Sequence, residues 1–171
     1  MFILNVQNPV DNLTTEQIRK IYTGEITHWD HFGGPDVEIH PYQRNPNSGS
    51  QELMISLVMK DLAMIDAPEM TLEGMMGPIN VISDDVDGIG YSVYFFEEFM
   101  APNEKLKLSA VDGILPNSES IQSRQYPYTT EVFAVIRSDL DQDSKAYRML
   151  EWLKSEEGQG VIAESGYVLI R

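Results

Sequence analysis

Val37-Glu38-Ile39-His40-Pro41-Tyr42-Gln43-Arg44-Asn45-Pro46-Asn47-Ser48-Gly49-Ser50 runs from an alternating apolar and polar segment into a cluster of turn-forming and small residues. The alternation over Val37 to Tyr42 predicts a strand. Beyond the loop, Leu53, Met54, Leu57, Val58 and Leu62 recur at helical spacing, which predicts a helix with one face on a core. Strand, small-residue loop, helix N-terminus is the order, and alternating strands and helices favour an α/β domain.

The same alternation extends in both directions. Upstream, the apolar Phe2 to Val6 reads as a strand stopped by Gln7-Asn8-Pro9. Thr14 as N-cap with Gln17 three positions on forms a capping box, Ile18, Ile21 and Tyr22 share one helix face, and Gly24 is the stop. Downstream, a short helix is expected near Asn80 to Asp85 and an apolar helix over Val93 to Met100. Strands are expected over Lys105 to Ser109 and Val132 to Ile136, the second a continuous apolar run suited to a buried place. From Ser138 the pattern is helical, with Ala146, Met149, Leu150 and Leu153 in one stripe and Gly158 and Gly160 interrupting.

The chain has 171 residues, with 12 Lys+Arg against 27 Asp+Glu, a net charge of −15. Such a balance opposes sequence-general nucleic-acid binding, which needs cations to displace counterions from phosphates. It also disfavours an anionic membrane surface. A hydrophobic fraction of 42% suffices for one folded domain. The lack of cysteine excludes disulfides, thiolate nucleophiles and Cys-ligated metals. No apolar run reaches the roughly 20 residues of a membrane helix, so no membrane insertion is expected.

Arg44, Ser48, Gly49 and Ser50 are the candidate ligand-binding residues. A helix N-terminus offers unpaired N–H groups and partial positive charge, two serines add hydroxyls, Gly49 permits close approach, and arginine presents a planar fork of donors for phosphate or carboxylate. The plainer alternative makes Ser48 or Ser50 an N-cap and Arg44 a surface charge. Other groupings are weaker. His28-x-x-His31 beside Asp30 has too few ligands for a metal site. The aspartates at 84, 85 and 87 and at 139, 141 and 143 lack the glycine and terminal acid of a calcium loop. Ser48 lies in no nucleophile elbow, and no cofactor motif is present. The Met70 to Met76 cluster reads as packing or loop.

Taken in order, several segments resemble the phosphate ABC-transporter substrate-binding proteins. They are Leu13-Thr14-Thr15-Glu16-Gln17-Ile18 through Ile21-Tyr22-Thr23-Gly24-Glu25-Ile26-Thr27-His28-Trp29; Arg44-x-x-x-Ser48-Gly49-Ser50, like that family's anion loop; and Gly88-Ile89-Gly90-Tyr91, like a turn of the family. Pro116-Asn117-x-Glu119-x-Ile121, Tyr126-Pro127-Tyr128 and Glu157-Gly158-Gln159-Gly160 before Gly166-Tyr167-Val168 continue the match. The resemblance implies a type 2 periplasmic-binding-protein-like α/β fold, mainly the second lobe plus C-terminal helices, as one domain over residues 1–171. Residues 7–131 would be the second-lobe core, 2–6 and 132–136 crossover-like strands, and 138–171 a C-terminal helical segment. It implies phosphate or a similar oxyanion as ligand, held by Arg44, Ser48, Gly49 and Ser50, with no catalysis, an ABC transporter permease as partner of the full-length protein, and an extracytoplasmic location. Pro46 departs from the family, which often carries an acid there to orient the arginine. Most of the first lobe has no counterpart before Phe2. The C-terminal stripe is therefore expected to rest on this lobe, to self-associate or to meet sequence elsewhere. The alternative function is a recognition or assembly module with a vestigial half-site.

Overall fold

The computed structural model describes residues 1–169, so the last two residues of the expected 138–171 segment lie outside it. In chain order the elements are β1 (Phe2–Asn5), β2 (Asn12–Leu13), α1 (Thr15–Tyr22), β3 (His40–Pro41), β4 (Gln43–Arg44), α2 (Gly49–Leu53), β5 (Thr71–Leu72), α3 (Met76–Asp84), β6 (Gly88–Tyr91), β7 (Leu106–Val111), α4 (Ser118–Gln122), α5 (Lys145–Lys154) and α6 (Glu156–Glu164). Two π-helical turns, Met54–Met59 and Phe96–Met100, extend α2 and follow β6.

Five strands form one sheet in the order β2-β7-β1-β6-β3. All four residues of β1 are buried, and β1 pairs antiparallel with β6 (Ile3↔Gly90) and β7 (Ile3↔Leu108). Phe2 and Leu4 belong to the cluster of Leu13, Ile18, Ile21, Tyr22 and Trp29, while Ile3 and Ile82 of α3 both lie beside Gly90 outside that cluster. Each such buried side chain stabilises the fold by roughly 1.5–3 kcal/mol. The capping box of α1 forms as the sequence indicates: the Gln17 N–H donates to Thr14 Oγ1 (3.2 Å) and the Thr14 N–H to Gln17 Oε1 (2.7 Å).

Gly88-Ile89-Gly90-Tyr91 is a strand, where the sequence suggested a turn. Neither glycine has a positive φ. Their use is closeness, since a Cβ on Gly90 would stand 2.5 Å from Ile82 Cδ1 and block α3 from the sheet. The expected strand over Val37 to Tyr42 shrinks to β3, because β4 leaves the main sheet to pair with β5. The helix after the Asn45–Ser48 loop stops at Met59; Lys60 turns the chain at φ 55°, leaving Leu62 outside.

The largest departure is Val132 to Ile136. It forms no strand, and Val132, Phe133 and Val135 are exposed. Its composition suits a buried strand, but a strand needs a hydrogen-bonding neighbour, and none of the described residues provides one. In the C-terminal helices the break falls at Ser155, which caps both α5 and α6, and Gly158 and Gly160 lie within α6. Gly158 is there for space: a Cβ would meet the Trp152 carbonyl oxygen at 2.0 Å. Met149 remains exposed and Leu150 and Leu153 half-buried. The hairpin touches the rest of the fold through its tail, where Tyr167 stacks on Phe95 at 4.0 Å and Gln122 Nε2 donates to the Leu169 carbonyl.

Candidate functional site

Arg44 ends β4, whose parallel pairing with β5 sets Arg44 opposite Leu72. The tight loop Asn45 to Ser48, closed by the Ser48 N–H donating to the Asn45 carbonyl (3.0 Å), then returns the chain to start α2 beside it. Arg44 is only 8% exposed. Its Nε donates to the Leu72 carbonyl (3.2 Å) and Nη1 to Ser50 Oγ (3.3 Å), and it has no carboxylate partner among the described residues. The guanidinium is thus oriented by a carbonyl, in a chain where Pro46 supplies no acid. Arg44 is not the surface charge of the plainer reading.

Ser48 takes the N-cap position of α2 but its side chain makes no capping bond; its hydroxyl pairs with Ser50 Oγ at 2.9 Å. The N–H groups of Gly49, Ser50 and Gln51 have no partner among the described residues, as expected for a first helical turn. A Cβ on Gly49 would meet nothing within 4 Å, so Gly49 faces open space. Arg44, Ser48, Gly49 and Ser50 therefore come together as two hydroxyls and a cation around one helix start. Ser50 opens onto a cleft of about 620 Å³ that also touches Phe2, Tyr91, Ser92 and Tyr126, and the Arg44 guanidinium stands behind Ser50, bonded to its hydroxyl.

Two supports escape the sequence reading. Buried Gln51 accepts the Arg44 backbone N–H at 3.0 Å and the Tyr91 hydroxyl, and Tyr91 Oη accepts the same N–H at 3.1 Å. Burial pushes the Tyr91 phenol up to about 12 despite the nearby Arg44, so it stays a neutral donor. Ser48-x-x-Gln51 has capping-box spacing, which was the available signal, but its glutamine turns inward to β4.

The other candidates lie elsewhere. His28 Nδ1 is 3.0 Å from Thr27 Oγ1 and His31 Nδ1 2.9 Å from Asp30 Oδ1, each ring turned to its own sequence neighbour. His40 Nδ1 lies 2.8 Å from Asp85 Oδ2, which also accepts the Tyr42 hydroxyl at 2.8 Å. None of these rings bonds Ser48.

The chain matches the family model of the PBP superfamily domain over residues 1–157. It is 24% identical to the phosphate-binding protein PstS of Borreliella burgdorferi, covering 100% of this chain and 63% of that one. It is 22% identical to PstS of Bacillus subtilis, over 96% and 53%. This chain therefore spans less than two thirds of either relative. Its fold resembles that of a Clostridium perfringens protein assigned as a phosphate ABC transporter substrate-binding protein and crystallised with phosphate, at TM-score 0.79 and 24% identity over 99% of this chain and 68% of the other. PstS from Borrelia burgdorferi gives TM-score 0.72 over 99% and 68%, also at 24% identity.

Proposed function

The chain belongs to the PBP superfamily, and on that premise we propose that it holds phosphate or a similar oxyanion as part of an extracytoplasmic solute-binding protein of an ABC-type importer. The observation that carries the reading is Arg44, a buried cation with no carboxylate partner among the described residues. Burying an unpaired charge is costly, and a bound anion would offset that cost. Ser48 and Ser50 add hydroxyl donors, and Gly49 leaves room for the ligand to approach the free N–H groups of α2. The net charge of −15 does not oppose this, since exposed charges are screened within about 10 Å. Within the reading, residues 7–131 are the second lobe, the binding is non-catalytic, and a permease receives the ligand from the full-length protein. An assembly module with a vestigial half-site is not favoured, as the curated relatives above are phosphate-binding proteins.

The test is amide chemical-shift mapping of the chain with phosphate, sulfate and acetate. A one-sided, wet site forfeits the desolvation that strengthens charge-assisted bonds, so affinity should be weak, on the order of millimolar or about 4 kcal/mol. Shifts should centre on Gly49 and Ser50 and vanish in Arg44→Ala. Phosphate shifts that survive that substitution, or none at these amides, would overturn the assignment.

A further inference from the structure

Gln51, in the first turn of α2, is 7% exposed, and the chemistry of its neighbours fixes the direction of every bond its side chain makes. The Arg44 backbone N–H can only donate, so the atom it meets at 3.0 Å is Oε1, and the Tyr91 hydroxyl donates to the same oxygen. The other end of the amide, Nε2, faces Met64 Sδ at 3.5 Å, and a thioether sulfur can only accept. Arg44 and Tyr91 ask merely for an acceptor. A carboxylate of the same shape would serve them at least as well, since bonds to a charged acceptor are the stronger ones. It would also place a negative charge next to Ser50, whose hydroxyl holds Arg44 Nη1 at 3.3 Å, and the two buried charges would compensate each other. Glutamine satisfies the same donors and leaves the cation uncompensated. The next residue, Glu52, is an acid, but it is exposed.

We propose that Gln51 is the specificity-determining residue of the site: as a neutral acceptor it positions the Arg44 backbone while leaving the guanidinium charge to the ligand. This rests on the oxyanion reading above and names the residue that keeps the charge available to it. The introduced carboxyl of Gln51→Glu would face two titratable or charged groups among the described residues, Arg44 from β4 and Tyr91 from β6, and the uncharged Met64 beyond the turn at Lys60. Arg44 favours its ionised form, whereas burial and the lone pairs of Met64 Sδ favour the protonated form, which, like glutamine, offers sulfur a donor. The protonated variant is thus a close mimic of the unmodified site, and the ionised variant is a self-neutralised one.

The test titrates the Gly49 and Ser50 amides with sulfate, which keeps its double charge from about pH 8 to about pH 4.5, and with phosphate. In Gln51→Glu, sulfate affinity at about pH 8 should fall at least about tenfold, and acidification to about pH 4.5 should raise it again at least about threefold. The sign follows from competition for Arg44: bound sulfate draws the guanidinium from the carboxylate and raises its pKa, so binding strengthens as pH falls. The unmodified chain should change by less than about twofold over the same range. Gln51→Ala, which loses the acceptor without adding charge, should bind more weakly with no recovery in acid. A purely structural role for Gln51 predicts that both variants lose binding alike at every pH, and that result overturns the proposal. Unchanged sulfate binding by Gln51→Glu at about pH 8 overturns it too. Urea unfolding accompanies each point; a Gln51→Glu chain that unfolds at about pH 8 carries a carboxylate that Arg44 does not neutralise, which is equally fatal. A site that responds to phosphate but not to sulfate reads more than charge and sinks this proposal alone. No response to either anion in the unmodified chain removes the oxyanion reading and the proposal with it.

Discussion

Arg44 owes its position to its neighbours. The Leu72 carbonyl, Ser50, Gln51 and Tyr91 hold it from four sides. In Tyr91→Phe, Gln51 Oε1 loses a buried donor, and the expected cost is about 1–2 kcal/mol in urea unfolding with unchanged m. A cost near zero would mean that Gln51 alone fixes the loop. Asp85 supplies the pH prediction. Burial raises its carboxyl, but hydrogen bonds from His40, Tyr42 and the Asp87 N–H and the His40 charge together bring it below the ordinary 3.8. A depressed folded value means folding favours the ionised form. Its stabilisation is present above about pH 3.8 and is lost as pH falls through the folded value. Asp85→Asn should therefore lower stability at neutral pH and flatten the acid limb of the stability curve, which acid titration followed by fluorescence reads directly. That Arg44 and the serines come together was legible from residue type and spacing. Gln51 and Tyr91 were not, because their roles lie in contacts 7 and 47 residues from Arg44.

Among the elements, glycines fix how closely neighbours pack. Gly90→Ala puts a methyl 2.5 Å from Ile82 Cδ1, and the repacking of α3 should cost about 1–3 kcal/mol in thermal or urea unfolding. Gly158→Ala sets its methyl against a backbone carbonyl, which no rotamer change relieves. We expect it to open the α5–α6 corner, seen as lost protection against hydrogen exchange in those helices while β1, β6 and β7 keep theirs. Protection retained in α5 and α6 would refute the tight corner. The capped helix α1 was readable in full, since its signals lie within one turn. Gly88 and Gly90 were misread as a turn because a glycine that makes room for a distant helix looks, in sequence, like a glycine that bends the chain.

At the scale of the molecule, a central sheet with α1 on one face and α3 on the other forms the body, and a helical hairpin is joined to it by a short tail. Tyr167 on Phe95 is the main aromatic contact of that junction. Tyr167→Ala should raise exchange in α5 and α6 by about tenfold, equivalent to about 1.4 kcal/mol, and leave the sheet unaffected. Equal exchange in both variants would mean that the cleft walls, not the tail, hold the hairpin. The sequence by itself determined the α/β class, the capped helix α1, the central strand β1 and the grouping of residues around Arg44, because periodicity, capping and short sequence spacing are local. The tertiary structure decided what Val132 to Ile136 becomes, which strand each glycine serves, and what orients a buried arginine. Those outcomes depend on a partner for a hydrogen bond or a neighbour across a gap, and such partners are set by the assembled chain.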